Sequence, residues 1–264
     1  MTKELKFATN LAKDAGKILM DEFGKAKILK TKADKRDVCT NVDLKTEQMI
    51  IGKIKENYPD HKIYGEETGK TNGESDYTWI IDPIDGTRYY ISGIKFFSVS
   101  IALWKDNEPI LGVVYFPALD EIYYAEKGKG AFCDKKKLKV SSISNLKDSI
   151  IALDIACSNK LELSEKKTTT RRLETIFANT YRIRLFGLGT FVLCSIAKGG
   201  FEGYFDLTGK EKVLDLVAGI IIAKEAGAKI TGLDGKYLGK NTSHVVITNG
   251  KIHNKFLELI NSIS

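Results

Sequence analysis

Apolar residues recur at helical spacing from the start of the chain. Leu5, Ala8, Leu11, Ala12, Ala15, Ile18 and Leu19 share one face of a 3.6-residue period, and Gly24 follows. That pattern predicts an amphipathic helix closed by the glycine. Residues 26–31 read as a short strand and residues 32–36 as a charged loop. A second helix is expected from Asn41 to Asp43 onward, running to about Asn57 and stopping ahead of Pro59, with Leu44, Met49, Ile50 and Ile54 as its inner face.

The middle of the chain changes period. Residues 78–81, 96–104, 109–116 and 121–126 alternate or form short apolar runs, with Asp106-Asn107 and Gly128-Lys129-Gly130 as turn signals between them. This predicts an antiparallel meander. Beyond about Ser141, strands alternate with helices: strand 149–154, helix 160–179, strand 181–185, helix 188–198, strand 203–205 and helix 213–226. A strand near Ile230, strand 245–248 and helix 253–263 complete the alternation. The expected organisation is an α+β N-terminal lobe over residues 1–140 and an α/β C-terminal lobe over residues 141–264.

Composition narrows the function classes. The 264 residues carry a formal charge of +7, but the lysines are scattered, and only Lys135-Lys136-Lys137 forms a run. No basic stripe interleaved with aromatics is present, so nucleic acid is not the expected partner. A general positive field instead favours a phosphorylated small molecule. No apolar run approaches the ~18 residues that span a bilayer, so no membrane partner is expected. The first residues lead into the amphipathic helix rather than into a signal-peptide core. Cys39, Cys133, Cys157 and Cys194 are widely spaced, without a Cys-x-x-Cys pair. Free thiols in a cytoplasmic protein are the expectation.

The richest stretch is Trp79-Ile80-Ile81-Asp82-Pro83-Ile84-Asp85-Gly86-Thr87. An apolar strand runs straight into two carboxylates three residues apart, then a glycine and a hydroxyl. Two acids on a tight turn can face a common point and hold a hard cation such as Mg²⁺, which takes oxygen ligands. Gly86 lets backbone N–H groups approach an anion, and Thr87 can orient a water. The same letters also spell ordinary turn dipeptides. Three more acids are candidates for the site: Glu66 in Gly65-Glu66-Glu67, Asp43 at a helix start, and Asp215 in an otherwise apolar helix. Asp215 is equally a first-turn helix cap.

Several motifs fail on spacing. Gly65 to Thr71 has three residues between its glycines where a P-loop needs four. The acids from Asp82 onward do not follow the calcium-loop intervals, with Gly93 at the twelfth position. Asn241-Thr242-Ser243 is a glycosylation sequon by pattern only. His61, His244 and His253 do not cluster, and carboxylate and metal chemistry is the economical reading.

Together these residues resemble the inositol monophosphatase family. Gly65-Glu66-Glu67, Asp82-Pro83-Ile84-Asp85-Gly86-Thr87 and Asp215 in Leu214-Asp215-Leu216-Val217-Ala218-Gly219 fall in the family's order. Asp37-Val38-Cys39-Thr40-Asn41-Val42-Asp43, Gly128-Lys129-Gly130-Ala131-Phe132 with Leu138-Lys139-Val140-Ser141, and residues 187–204 extend the likeness over nearly the whole chain. The resemblance implies a layered αβαβα sandwich of two packed lobes. It implies a phosphomonoesterase dependent on two or three Mg²⁺ ions, often lithium-sensitive and usually a homodimer.

Carried over by position, Glu66, Asp82, Ile84 (through its carbonyl), Asp85 and Asp215 would hold the metals. Thr87, bonded to Asp43, would activate water with Glu66 nearby. Asp85, Gly86, Thr87, Gly187 and Arg184 would meet the substrate, and Glu67 would support the ligands from behind. The substrate expected is an inositol phosphate or a related sugar phosphate such as fructose 1,6-bisphosphate. The alternatives are a nucleotide phosphatase acting on NADP or adenosine 3′,5′-bisphosphate, and a regulatory binding protein of the same fold. Three positions depart from the family pattern: Leu214 where tryptophan is common, Arg88-Tyr89-Tyr90 after Asp-Gly-Thr, and Thr208 where an acid would grip inositol hydroxyls, with Asp206 offset by two. Arg88, Arg171, Arg172, Arg182 and Arg184 are candidates to meet a second phosphate.

Overall fold

The structure is a computed structural model that describes residues 1–31, 38–106, 108–155, 161–210, 213–238 and 244–263, with the side chains of residues 213–215 outside that description. The expected loop at 32–36, Asp37, Asn107, Cys157, Lys160 and the sequon at 241–243 fall outside the described residues.

Thr2 caps helix α1 (Lys3–Asp21) by accepting the Leu5 N–H at 3.3 Å. The helix buries Leu5, Ala8, Leu11, Ala12, Ala15 and Leu19. Gly24 follows with φ +79, the left-handed turn that glycine makes at least cost. Strands β1 (Ile28–Thr31) and β2 (Val38–Thr40) pair antiparallel, and helix α2 (Asn41–Asn57) begins immediately. Its buried face is Val42, Asp43, Thr46, Glu47, Ile50 and Ile54. Leu44 and Met49, expected inside, are only half-buried. Three polar residues therefore occupy the inward stripe where apolar residues were expected.

Among the described residues, one sheet runs β10-β9-β8-β7-β6-β5-β3-β4. Its strands are β3 (Lys62–Gly65), β4 (Gly69–Thr71), β5 (Tyr77–Asp85), β6 (Ser98–Lys105), β7 (Glu108–Phe116), β8 (Glu121–Glu126), β9 (Gly130–Cys133) and β10 (Lys136–Lys137). From β5 to β10 it is the expected meander, with Asp106 at φ +52 entering one turn. The β3–β5 pair is parallel, and β4 pairs antiparallel with β3 where a failed phosphate-loop pattern stood. Short helix α3 (Thr87–Ile91) follows β5. Gly112 on β7 leaves room for helix α6 (Val213–Glu225), since a Cβ there would lie 2.7 Å from the Ala218 carbonyl oxygen.

A second sheet has the order β12-β11-β13-β15-β14. Its strands are β11 (Ile150–Asp154), β12 (Arg182–Arg184), β13 (Gly203–Asp206), β14 (Lys229–Thr231) and β15 (Val246–Thr248). The β12-β11-β13 side is parallel and the β13-β15-β14 side antiparallel, so the sheet is mixed rather than purely parallel. Helices α4 (Leu163–Asn179), α5 (Gly189–Ala197) and α7 (His253–Asn261) belong with it. The chain divides into two compact units, residues 1–137 with 217–222, and residues 138–216 with 223–264. Each has its own apolar core: Leu11, Ile50, Trp79 and Ile101 are central to one, Phe205, Val246 and Phe256 to the other. Mixed sheets with helices bear out the α+β fold class.

His253 is fully buried between the Thr231 and Thr248 hydroxyls, at 3.0 and 2.9 Å. Burial first, and Lys229 second, push its pKa down to about 4. In the unfolded chain a histidine titrates near ~6.5. The unfolded state therefore takes up more protons between these values, and the stability this residue contributes is whole above ~6.5 and lost as pH falls toward 4. Between pH 7 and pH 5 the loss should be about 2 kcal/mol. Chemical denaturation at both pH values should show it, and His253→Gln should lack that part of the drop. An equal drop in both proteins would refute the assignment.

Candidate active site

Strand β5 carries Trp79, Ile80 and Ile81 into the core and ends on Asp82 to Asp85. Opposite β6 the register slips: Asp82 pairs with Ser100 and Asp85 with Ser98. Three steps on one strand match two on the other, which is a bulge, a device that re-aims side chains at a strand end. Asp82 is 9% exposed, and its Oδ1 accepts the Ile84 N–H at 2.9 Å. Asp85 is half-buried. Gly86 follows at φ +94, the turn into α3. Buried Tyr90 anchors that helix by donating its hydroxyl to the Leu19 carbonyl at 2.7 Å and by edge contacts with Phe23 and Phe97.

Helix α2 approaches the same turn. Thr40 and Asp43 form a reciprocal cap: Asp43 Oδ2 accepts the Thr40 N–H at 2.9 Å and the Thr40 hydroxyl, while Thr40 Oγ1 accepts the Asp43 N–H at 3.3 Å. This cap leaves Asp43 Oδ1 free to face Thr87 Oγ1 at 3.2 Å. The Ile84 carbonyl lies 2.9 Å from the same hydroxyl, so two acceptors compete for one proton. Asp43 is fully buried, and burial pushes its pKa up to about 6 against the Thr40 bonds, with Glu67 and Glu66 adding repulsion.

The Gly65-Glu66-Glu67 turn sits beside Asp82 because Gly65 pairs with Ile81 and the Glu66 N–H donates to the Ile81 carbonyl at 3.1 Å. The Glu67 side chain is 1% exposed and meets Lys30 of β1 at 3.4 Å. Cys39 lies beside Glu67; burial first and that carboxylate second push its thiol up to about 12. Glu47, which no motif singles out, is buried under the turn. Its pKa is pushed up to about 7, chiefly by burial. Its sequence signal is the spacing of one helical turn from Asp43, which places a second acid on one face.

Asp43, Glu66, Asp82, Ile84, Asp85, Gly86 and Thr87 thus belong to the first unit. In the second unit, Gly187 has φ +58, and half-buried Arg184 donates to the Ile183 carbonyl at 3.0 Å. Asp215 lies on α6 with its side chain outside the described residues. Asp206, the offset acid, is taken up by its own turn: Oδ1 accepts the Thr208 and Gly209 N–H groups at 3.1 and 2.9 Å and the Thr208 hydroxyl at 3.2 Å. Among the described residues, no three His, Cys, Asp or Glu side chains converge closely enough to hold a metal. The donors are nonetheless of one chemical kind, carboxylate and carbonyl oxygens, which suits a hard cation.

The profile of the inositol monophosphatase family matches residues 1–264. The chain belongs to that family. A protein of Aquifex aeolicus named fructose-1,6-bisphosphatase/inositol-1-monophosphatase is 33% identical over 98% of this chain and 96% of its own. The Haemophilus influenzae Nus factor SuhB is 30% identical over 98% of this chain and 96% of its own. The solved structure of a Thermotoga maritima inositol monophosphatase superposes with a TM-score of 0.88 at 30% identity, covering 99% of this chain and 98% of that one. As a member of the inositol monophosphatase family, the protein is a phosphatase that hydrolyses phosphomonoesters, and the family is metal-dependent. No helix among the described residues is long and apolar enough to cross a membrane.

Two glycines should respond oppositely to alanine. Gly86→Ala forces a Cβ into the left-handed region and should cost about 1–2 kcal/mol. Gly52, within α2 and with nothing near its Cβ position, should gain up to about 1 kcal/mol as alanine. Denaturant midpoints of the two variants measure both, and equal shifts would contradict the turn geometry.

Proposed function

We propose that the protein is a Mg²⁺-dependent phosphatase of inositol phosphates or related sugar phosphates, fructose 1,6-bisphosphate included. The contact between Thr87 and Asp43 at 3.2 Å carries the reading, because it joins a hydroxyl able to orient water to a buried carboxylate able to take its proton. Glu66, Asp82, Asp85, the Ile84 carbonyl and Asp215 would hold two or three ions. Bound Mg²⁺ supplies neutralising charge for the phosphate and a lowered pKa for water.

The chain's own groups do the rest. Thr87 turns its proton toward Asp43 and presents its oxygen lone pair to the attacking water. The Gly86 and Thr87 N–H groups receive a phosphate oxygen, Gly86 having no Cβ to block it, and Asp85 lies at the same turn. Water passes a proton through Thr87 to Asp43 as its oxygen attacks phosphorus in line, the ester P–O bond breaks, and the leaving alkoxide takes a proton from solvent to become the alcohol. Gly187 and Arg184 are assigned to the sugar.

A groove of about 260 Å³ in the second unit has a mixed lining that includes Glu165, Thr168, Arg172, Leu207, Thr208 and His244, with Arg172 the group that would meet a further anionic group on the substrate. The partner is a small phosphate ester; a homodimer and a cytoplasmic location complete the proposal. The likeness to a Nus factor favours a second reading, a regulatory binding role for the same chain. A nucleotide phosphatase acting on NADP or adenosine 3′,5′-bisphosphate is the remaining alternative.

Phosphate release from inositol 1-phosphate, fructose 1,6-bisphosphate, NADP and adenosine 3′,5′-bisphosphate, with Mg²⁺ and with chelator, ranks these readings. Release from the first two, abolished by chelator, is expected. Asp215→Asn should lower kcat about 10³-fold, some 4 kcal/mol of transition-state stabilisation. Release that survives chelator, or full turnover by Asp215→Asn, would overturn the metal assignment.

A further inference from the structure

Helix α2 presents two acids one turn apart on its buried face. Asp43 meets Thr87, and Glu47 meets the other half of the acidic cluster. Glu47 is fully buried, and its Oε1 accepts the Glu67 N–H at 3.2 Å. The nearby Thr68 backbone also favours its charged form. Oε2 has no hydrogen-bond partner.

The contact explains a glycine as well. Gly65 is not in the left-handed region, so turn geometry does not require it. A Cβ at that position would lie 1.8 Å from Glu47 Oε1 and 2.7 Å from its Cδ. Gly65 is therefore the space in which the Glu47 carboxylate sits. The turn between is held from two sides, by Glu47 on one and, on the other, by β5 through the Glu66 N–H to Ile81 carbonyl bond of 3.1 Å.

We infer that Glu47 is a positioning residue: by accepting the Glu67 N–H and filling the space beside Gly65 it fixes the turn that aims Glu66 at its metal. This rests on the assignment of Glu66 as a ligand. Burying a carboxylate is unfavourable unless something is gained, and an apolar residue there would orphan the Glu67 N–H. Asp43 and Glu47, spaced about 6 Å apart by one helical turn, make α2 a ruler for the two halves of the site. Groups that support metal ligands from behind are worth about 10–100-fold in metal affinity.

Three measurements on the purified full chain test this: Mg²⁺ affinity by calorimetry, amide exchange at residues 66–68 without metal, and the unfolding midpoint. Glu47→Ala should weaken Mg²⁺ binding about 10–100-fold and speed exchange at residue 67 at least about 10-fold. Glu47→Gln keeps an acceptor oxygen and should stay within about 3-fold of wild type in both. Gly65→Ala should loosen the same amide, and in a Glu47→Gly background its penalty to the unfolding midpoint should shrink, the Thr68 hydroxyl at 2.9 Å being the close neighbour that remains. Unchanged exchange in Glu47→Ala, or Glu47→Gln as impaired as Glu47→Ala, would overturn the inference. If Glu47→Ala does not fold, the Gly65→Ala comparison decides it, additive penalties being the contrary result. Wild type that fails to bind Mg²⁺ would sink the ligand assignment of Glu66, whereas the exchange data report on Glu47 alone.

Discussion

The first unit is organised around a repulsion. Asp43, Glu47, Glu67 and Asp82 are carboxylates withdrawn from water, and Glu66 adds its charge to theirs. Burial of like charges raises the free energy of the ionised cluster, and the pKa values of Asp43 and Glu47 rise to about 6 and about 7 in response. Such an arrangement persists only where geometry over-determines it. Here the Thr40 cap, the Lys30 contact, the bulge after Asp82 and the backbone bond to Glu47 supply that geometry. A fold that spends stability on crowded acids is one prepared to accept cations.

Most elements were legible in the sequence because their periods are strong. The residue patterns of α1, α2 and the meander β5 to β8 match the structure to within about two residues at most ends. What was not legible has a physical reason in each case. Short strands β2, β4 and β10 are too brief to show a period. Helix α3 is one turn, set by Gly86 and the Tyr90 anchor rather than by propensity. The inner face of α2 misled because two acids and a threonine occupy its buried stripe, and polarity ordinarily marks the outside. The second sheet mixes directions because β15 enters as an antiparallel strand, which alternation alone does not foretell.

The candidate site was readable where chemistry forms a compact word and unreadable where it works through space. Asp82 to Thr87 is contiguous, and Glu66 is carried beside it by the parallel pairing of β3 and β5. Glu47 escaped because its partner is a backbone N–H twenty residues away. Asp206 shows the reverse: an acid near a site by sequence, yet engaged by its own turn. Substrate choice is the least legible property, since the residues that would set it, Arg172, Arg184 and Thr208, lie in the unit whose chemistry no compact motif declares.

Calorimetric titration of the protein with Mg²⁺, in buffers of differing protonation enthalpy and at pH 6 and pH 8.5, reads the charge state of the buried acids. Asp43 and Glu47, held partly protonated by burial first and by the neighbouring acids second, ionise more readily once a cation binds beside them. Mg²⁺ binding should release protons at pH 6, release almost none at pH 8.5, and raise the unfolding midpoint at both. Absence of Mg²⁺ binding, or proton release equal at the two pH values, would contradict a cation site built among buried acids.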